Sequence, residues 1–103
     1  MVFVHIVLVK VKPEVASAGL DEFIKKVDTL KSLDVVKEKC IACEHGPPVI
    51  PDRTQGYDYG LYTHFNNKAD YEVYRDDPGH REFVKSVIAP HTDSVLAYDW
   101  DHS

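Results

Sequence analysis

The sequence predicts an α+β protein with the element order β-α-β-β-α-β. Four stretches have either the continuous apolar content or the period-two alternation of strands. The segments that follow the first and third of them repeat apolar residues at helical spacing instead. The chain has 103 residues, so we expect a single domain over residues 1–103, long enough to bury a core.

The charge balance and the absence of long apolar runs limit the classes of partner. A net charge of -5 and a pI near 5.6 argue against nucleic acid or an anionic membrane as the main partner. No apolar run approaches a transmembrane helix, and Met1 is not followed by the basic leader and cleavage site of a signal peptide. We therefore expect a soluble, cytoplasmic protein that does not bind membranes.

The first strand is predicted at residues 2–11, which are almost uninterrupted apolar and β-branched residues. His5 shares a face of this strand with Val7 and Val9, so the three line a pocket if that face is hollow. A histidine in such a run is more often a core residue with its hydrogen bonds satisfied than a catalyst. Its role therefore depends on the space in front of it.

A helix is predicted after Pro13, and its regular part is expected to begin near Ser17. Gly19 weakens the start because glycine costs about 1 kcal/mol relative to alanine inside a helix. The inward-facing residues repeat at helical spacing. They are Leu20, Phe23, Ile24, Val27 and Leu30.

A second strand is predicted at residues 35–44, where charged and apolar residues mix as they do at a sheet edge or an oligomer seam. Cys40 and Cys43 form a C-x-x-C on it. On a regular strand the two side chains point to opposite faces, roughly 10 Å apart, too far for a disulfide. We expect two reduced cysteines that fill space.

The third and fourth strands are predicted at residues 57–65 and 94–100, separated by two helices. In the third strand Tyr59 and Leu61 share one face, and in the fourth Asp99 shares a face with Val95. Residues 46–56, which come before the third predicted strand, are predicted to form a loop because of their proline and glycine content.

The turn from Tyr74 to His80 is the one place where the local sequence argues for chemistry. Asp77 is a good helix N-cap and Pro78 suits the first helical position. His80 then lies in the first turn, where the helix dipole disfavours a positive charge. A neutral histidine is a better base than a protonated one, and Tyr74 lies close enough to donate its hydroxyl proton to a substrate.

With right-handed crossovers, this element order gives a ferredoxin-like, four-stranded antiparallel sheet with helices on one face. Apolar and aromatic residues occupy both faces of its strands. An uncovered apolar sheet face marks a partner surface. We therefore predict a homodimer joined through the sheet faces, which is a dimeric α/β barrel.

Over nearly its whole length the chain resembles the stress-responsive dimeric α/β-barrel (Dabb) domain family. The matching features are residues 4–10, the helix at residues 21–23, the pair Gly56-Tyr57, the turn Tyr74…Asp77-Pro78-Gly79-His80 and the closing Tyr98-Asp99-Trp100.

The resemblance implies chemistry that needs no cofactor. A plant polyketide cyclase of this family closes a linear polyketide by aldol condensation. The resemblance implies that His80 is the general base, that Tyr74 polarises the substrate carbonyl, and that His5 and Asp99 adjoin the substrate. The implied apolar lining is Val7, Val9, Phe23, Ile24, Val27, Tyr59 and Leu61. Tyr59 stands where that cyclase has a histidine, and Val27 where it has a tyrosine.

Three functions therefore compete. The first is a cyclase or lyase acting by general-base catalysis on a polyketide or a similar enolisable substrate, and we favour this enzyme. The second is a non-catalytic, stress-responsive dimer that binds a hydrophobic metabolite. The third is a cofactor-independent monooxygenase. We expect no nucleotide, flavin or metal, because there is no glycine-rich phosphate loop and the histidines are not grouped at ligand spacing.

Overall fold

The computed structural model describes residues 2–102. Its sheet contains four antiparallel strands in the order β2-β3-β1-β4. They are β1 (Val2–Val11), β2 (Cys40–Gly46), β3 (Tyr59–Phe65) and β4 (Thr92–His102). The first and third strands occupy the centre, so the predicted ferredoxin-like topology is confirmed.

The helices lie on one face of this sheet. They are α1 (Pro13–Ser17), α2 (Asp21–Asp28), α3 (Asp34–Lys39), α4 (Lys68–Asp76) and α5 (Pro78–Phe83). A π-helical turn at Val84–Ile88 extends the last of them, and short 3₁₀ turns complete several connections. Such π turns occur frequently at functional sites.

The core lies between the helices and the sheet. Along β3 the alternate residues Tyr59, Leu61 and Phe65 are buried, as period-two geometry requires of a strand with one covered face. From the helical layer, Phe23 and Val27 reach this face and are 2% and 0% exposed. The predicted inward faces of β3 and of the first helical segment are thus confirmed.

The other sheet face carries large apolar side chains that the described part of the chain leaves uncovered. On β4, Leu96, Tyr98 and Trp100 are 43%, 65% and 41% exposed. They pair with Leu8, Ile6 and Val4 of the central strand β1. This arrangement produces the uncovered apolar face that the sequence predicted.

The first helical segment differs from the prediction at Gly19. Its φ of 95° is in the left-handed region, which glycine enters at no steric cost. This conformation ends α1 at Ser17, and a new helix begins only at Asp21. The expected start of the regular helix near Ser17 is therefore wrong.

The predicted second strand is wrong in its first half. Residues from Asp34 to Lys39 form α3 instead, and the strand begins at Cys40. Val35 and Val36 are adjacent and both 5% exposed. A helix can turn two adjacent residues toward the core, whereas a strand with one covered face turns only alternate residues inward. Packing therefore outweighs the β propensity of the two valines.

The predicted orientation of the two cysteines is also wrong. The register between β2 and β3 shifts between Cys40 and Ala42, which marks a β-bulge at Ile41. Cys40 pairs with Phe65 and Cys43 with Thr63, so both thiols face the helices. Both are free and pack against the core.

Candidate active site

The turn between α4 and α5 holds Tyr74 and His80 side by side. Asp77 lies between the two helices, and its carboxylate accepts the backbone N–H of His80 at 3.0 Å. Pro78 takes the first helical position, as predicted. The ring centroids of Tyr74 and His80 are 4.0 Å apart. Local capping thus fixes the relative positions of the phenol and the imidazole.

The hydrogen bonding of His80 determines which of its nitrogens can act as a base. Its Nδ1 lies 3.3 Å from the backbone oxygen of Arg75. A carbonyl oxygen can only accept, so Nδ1 carries the proton and Nε2 keeps its lone pair. Burial lowers the pKa of His80 below 6.5, although the Arg75 carbonyl opposes this shift. At neutral pH the ring is therefore an uncharged base.

Tyr74 is a protonated phenol at any physiological pH. The residue is only 3% exposed, and burial is the main cause that raises the pKa of its hydroxyl well above 10. A protonated phenol donates one hydrogen bond. It can therefore stabilise negative charge that develops on a nearby oxygen.

A second histidine is held by a carboxylate across the sheet. His5 on β1 pairs in register with Asp99 on β4, and the Nδ1–H of His5 donates to the Asp99 carboxylate. His5 is 8% exposed, while about a third of the Asp99 side chain reaches solvent. The bond fixes the ring orientation and leaves Nε2 as the nitrogen available to a ligand.

Both histidines and Tyr74 line one cavity of about 180 Å³ between the sheet and the helices. Its walls are formed by His5, Val7, Leu61, Thr63, Tyr71, Tyr74, His80, Phe83, Val84, Ile88 and Val95. Most of these side chains are apolar. The polar groups that converge on the cavity are two imidazoles, two phenols and one hydroxyl.

The cavity brings together five of the residues predicted to form the site, His80, Tyr74, His5, Val7 and Leu61. Asp99 adjoins it through its bond to His5. The remaining predicted residues pack in or against the hydrophobic core and do not line the cavity. They are Val9, Phe23, Ile24, Val27 and Tyr59.

Six wall residues were missed by the sequence reasoning. They are Thr63, Tyr71, Phe83, Val84, Ile88 and Val95. Tyr71 and Thr63 had a usable signal, because Tyr71 lies one helical turn before Tyr74 and Thr63 alternates with Leu61 on one strand face. Tyr71 contacts His5, with their ring centroids 4.8 Å apart. Val95 also had a signal, because it shares a strand face with Asp99. Phe83, Val84 and Ile88 reach the cavity from the end of α5 and the π turn that follows it.

A separate chain of hydrogen bonds joins α2, β2 and β3. The Nε2–H of His45 donates to Asp28 at 2.9 Å, and the hydroxyl of Tyr59 donates to Nδ1 of His45 at 2.6 Å. The side chain of His45 is only 6% exposed. Its hydrogen bond is the main cause that lowers the pKa of Asp28. Because the Tyr59 hydroxyl is engaged here, it is not free to serve the cavity.

A larger groove of about 520 Å³ lies beside the loop that follows β2, over the open sheet face. Gly46 and Gly60 pair there and leave space because neither has a Cβ. Its lining, among the described residues, includes Arg53 and two tyrosines but no histidine, carboxylate or thiol. The groove therefore offers no base for neutral-pH chemistry, and the smaller cavity is the candidate active site.

Outside the cavity, the described residues contain no cluster of ionisable groups suited to bind a metal, and their two thiols are not activated. Within residues 2–102, no three His, Cys, Asp or Glu side chains come together as metal ligands. Burial raises the pKa of Cys40 to about 12 and also raises that of Cys43, so neither thiol is activated. Across the same described residues, no helix has the length and apolar character needed to cross a bilayer.

Several solved structures share this fold. An Arabidopsis thaliana protein, At3g17210, is 27% identical, with 98% of this chain and 95% of that chain covered and a TM-score of 0.79. The hydroxynitrile lyase from Passiflora edulis is 19% identical over 96% and 91% of the two chains, with a TM-score of 0.77. A dimeric ferredoxin-like protein from Bacteroides fragilis is 22% identical over 98% and 96%, with a TM-score of 0.74.

Sequence comparison gives the family. A stress-response A/B barrel domain-containing protein of Arabidopsis thaliana is 29% identical over 96 residues, which are 93% of this chain. The match spans 35% of that relative's length. The model of the stress-responsive A/B barrel domain matches residues 3–102. The predicted family is therefore confirmed, and the chain belongs to the stress-responsive A/B barrel (Dabb) domain family.

Proposed function

We propose that the protein is a cofactor-independent lyase or cyclase that acts on an enolisable carbonyl compound. The observation that carries this proposal is the pairing of an uncharged His80 with a protonated Tyr74 on the wall of a mostly apolar cavity. One group can accept a proton and the other can stabilise the resulting negative charge. Aldol-type cyclisation of a polyketide is the particular reaction that the family resemblance suggests.

The first step is removal of a proton from the carbon next to the carbonyl. Nε2 of His80 takes that proton, and the electron pair of the broken C–H bond forms an enolate. A carbon between two carbonyls is acidic enough for an imidazole to serve as the base. A positioned general base contributes about 10²–10⁴-fold to the rate.

The enolate oxygen carries the negative charge, and the hydroxyl of Tyr74 is the donor that can stabilise it. The enolate carbon then attacks a second carbonyl, forming a C–C bond and an alkoxide. The protonated His80 returns its proton to that alkoxide, so the base is regenerated. In the reverse direction His80 removes the hydroxyl proton and the C–C bond breaks, which is a lyase reaction.

The His5–Asp99 pair supplies a second positioned imidazole on the same cavity. We assign it the role of accepting a hydrogen bond at Nε2 from a hydroxyl or enol group of the substrate. A lyase reaction also agrees with the name of one structural relative, the Passiflora edulis hydroxynitrile lyase, whose 19% identity with this chain supports the shared fold alone.

The test is base-catalysed hydrogen–deuterium exchange of pentane-2,4-dione and of methyl acetoacetate, followed by NMR in deuterated buffer. We expect the wild-type protein to accelerate exchange and His80→Gln to reduce that acceleration by about 10²-fold or more. His102→Gln, at an exposed histidine on β4, is the matched control. Undiminished exchange in His80→Gln, with the fold intact by circular dichroism, would contradict the proposed enzyme activity. It would favour a non-catalytic protein that binds a hydrophobic metabolite.

We also propose that the protein is a homodimer joined through its open sheet faces. The exposed Tyr98, Trp100 and Leu96 support this, because such an apolar patch marks a partner surface. Several relatives of the same fold are described as dimeric. Tyr98→Asp should convert the dimer to a monomer in sedimentation velocity, whereas Val49→Asp, at a 95% exposed loop residue, should not. A monomeric wild-type protein would contradict the proposal.

A further inference from the structure

The candidate cavity is small for a ligand site. Its volume is about 180 Å³, whereas pockets for drug-sized ligands occupy roughly 300–1,000 Å³. An apolar cavity of about 150 Å³ is known to hold benzene. The space beside His80 and Tyr74 therefore accepts one six-membered ring or a short acyl chain.

The inner walls cannot easily enlarge this space. Phe83 and Ile88 are 6% and 5% exposed and belong to the hydrophobic core, where close packing resists changes in volume. Leu61 is buried at 8% exposure on the central part of the sheet. Enlarging the cavity inward would require repacking all three elements that carry these residues.

Two valines mark the entrance. Val84 on the π turn and Val95 on β4 both line the cavity, yet they are 39% and 54% exposed. Lining residues that also reach solvent lie where the cavity opens. The entrance is therefore between the π turn and β4, and these two side chains limit its width.

The lining also carries no permanently charged side chain. Among the described lining residues there is no Lys, Arg, Asp or Glu. The carboxylate next to the cavity belongs to Asp99, which holds His5. An anion placed there would lose its hydration without gaining a cationic partner, which is strongly unfavourable.

We propose that the substrate is a compact, uncharged carbonyl compound with a single ring or short chain beside its acidic C–H, and that Val84 and Val95 set its size limit. The proposal rests on the proposed function, because it assigns a substrate class to the same site. Long or ionised carbonyl compounds are excluded by the entrance and by the uncharged walls. Specificity is thus determined at the entrance of the cavity, whereas proton transfer takes place at His80.

Binding to the full chain tests size and charge directly by isothermal titration calorimetry. The size series is pentane-2,4-dione, 1-phenylbutane-1,3-dione and 1,3-diphenylpropane-1,3-dione, and the charge pair is methyl acetoacetate and acetoacetate. We expect the first two diketones and the ester to bind at least about tenfold more tightly than the diphenyl compound and the anion. Equal affinity across either set would overturn the corresponding half of the proposal.

Variants at the entrance test its role. Val84→Ala should tighten binding of the diphenyl compound by about tenfold, and Val84→Trp should weaken binding of pentane-2,4-dione by a similar factor. Val73→Ala, at a 49% exposed valine on α4 outside the cavity, should leave both affinities unchanged. Unchanged affinities in both Val84 variants would contradict the assignment of the entrance.

The outcome for size is separable from the outcome for catalysis. His80→Gln should keep the order of affinities while losing deuterium exchange. Size selection by a wild-type protein that catalyses no exchange would support the entrance and remove the proposed function. Exchange of large and small diketones at equal rates would support the proposed function and contradict the size limit at the entrance.

Discussion

His5 and Asp99 face each other across the ladder between β1 and β4, and the Nδ1–H of His5 donates to the Asp99 carboxylate. The histidine is buried, whereas its partner reaches solvent at the sheet edge. Because one ring nitrogen is committed to Asp99, the other is directed to whatever occupies the cavity. Asp99 is therefore a positioning residue for His5.

Removing the Asp99 carboxylate should affect both stability and turnover. Asp99→Ala leaves Nδ1 of the buried His5 unpaired, which costs about 1–3 kcal/mol of unfolding free energy. We expect kcat to fall by about tenfold with little change in KM, because the ring loses its orientation and the cavity keeps its shape. Urea denaturation and steady-state kinetics measure the two effects.

Two further variants separate positioning from simple destabilisation. Asp99→Asn keeps an oxygen that can accept the bond, so the unfolding free energy and kcat should both largely return. Asp101→Ala removes an exposed carboxylate two residues along the same strand and should change neither quantity. A kcat that stays low in Asp99→Asn although the unfolding free energy returns would argue against positioning through this hydrogen bond.

Tyr74→Phe should remove the hydrogen-bond donor while keeping the packed ring. Loss of one donor to a developing oxyanion typically lowers kcat by about 10²–10³-fold, and we expect a loss in that range. The melting temperature should change little, because the ring keeps its volume and its place in the hydrophobic core. Tyr62→Phe, on the open sheet face, is the control, and equal activity of the two variants would refute the role of the phenol.

The pKa of His80 predicts the pH dependence of catalysis. Burial lowers this pKa below its ordinary value of 6.5, so the base form persists into mildly acidic solution. The value of kcat/KM should rise with pH through an apparent pKa below 6.5 and then level off. Tyr74 should add no alkaline limb up to pH 10, because burial raises its pKa above that value. A midpoint above 6.5 would contradict a half-buried, neutral base.

The same residue should make stability depend on pH. Between the two pKa values the unfolded chain binds more protons at His80 than the folded chain does, so the unfolding free energy increases with pH. The contribution of His80 to the unfolding free energy is complete above its unfolded pKa of about 6.5. It is lost as the pH falls through the lower pKa of the folded state. The difference between wild type and His80→Gln, measured by urea titration across this range, isolates the effect from the other histidines.

The sequence could predict the Tyr74–His80 turn because its determinants are local. Asp77 caps the helix, and Pro78 takes the position for which its missing N–H suits it. The sequence could also predict which face of β1 carries His5 and Val7, because the side chains of a strand alternate with a fixed period of two.

The shape of the cavity was not predictable in the same way. The resemblance implied that Phe23 and Val27 line the pocket, but they pack in the core, whereas Val84 and Ile88 reach the cavity through a π turn. That turn packs against α2, from which it is distant in the sequence. The helix at Val35 was missed for a related reason, because burial of adjacent residues outweighs β propensity.

The chain of hydrogen bonds through His45 should act as a clamp between α2 and the edge of the sheet. With Nε2–H committed to Asp28, Nδ1 of His45 can only accept, and Tyr59 is its donor at 2.6 Å. Tyr59→Phe leaves that nitrogen buried and unpaired, so we expect a loss of about 1–3 kcal/mol in unfolding free energy. Tyr57→Phe, at a neighbouring half-buried tyrosine, should cost much less.

A double-mutant cycle decides whether the three residues act together. If His45 links them, Tyr59→Phe should cost markedly less in a His45→Ala background than in the wild type, because the unpaired nitrogen is absent there. Additive costs in the cycle would mean that Tyr59 contributes by packing alone.

The clamp should also weaken in acid. The His45 bond lowers the pKa of Asp28, so its stabilisation is present above the unfolded pKa of about 3.8 and is lost as the pH falls through the lower, folded value.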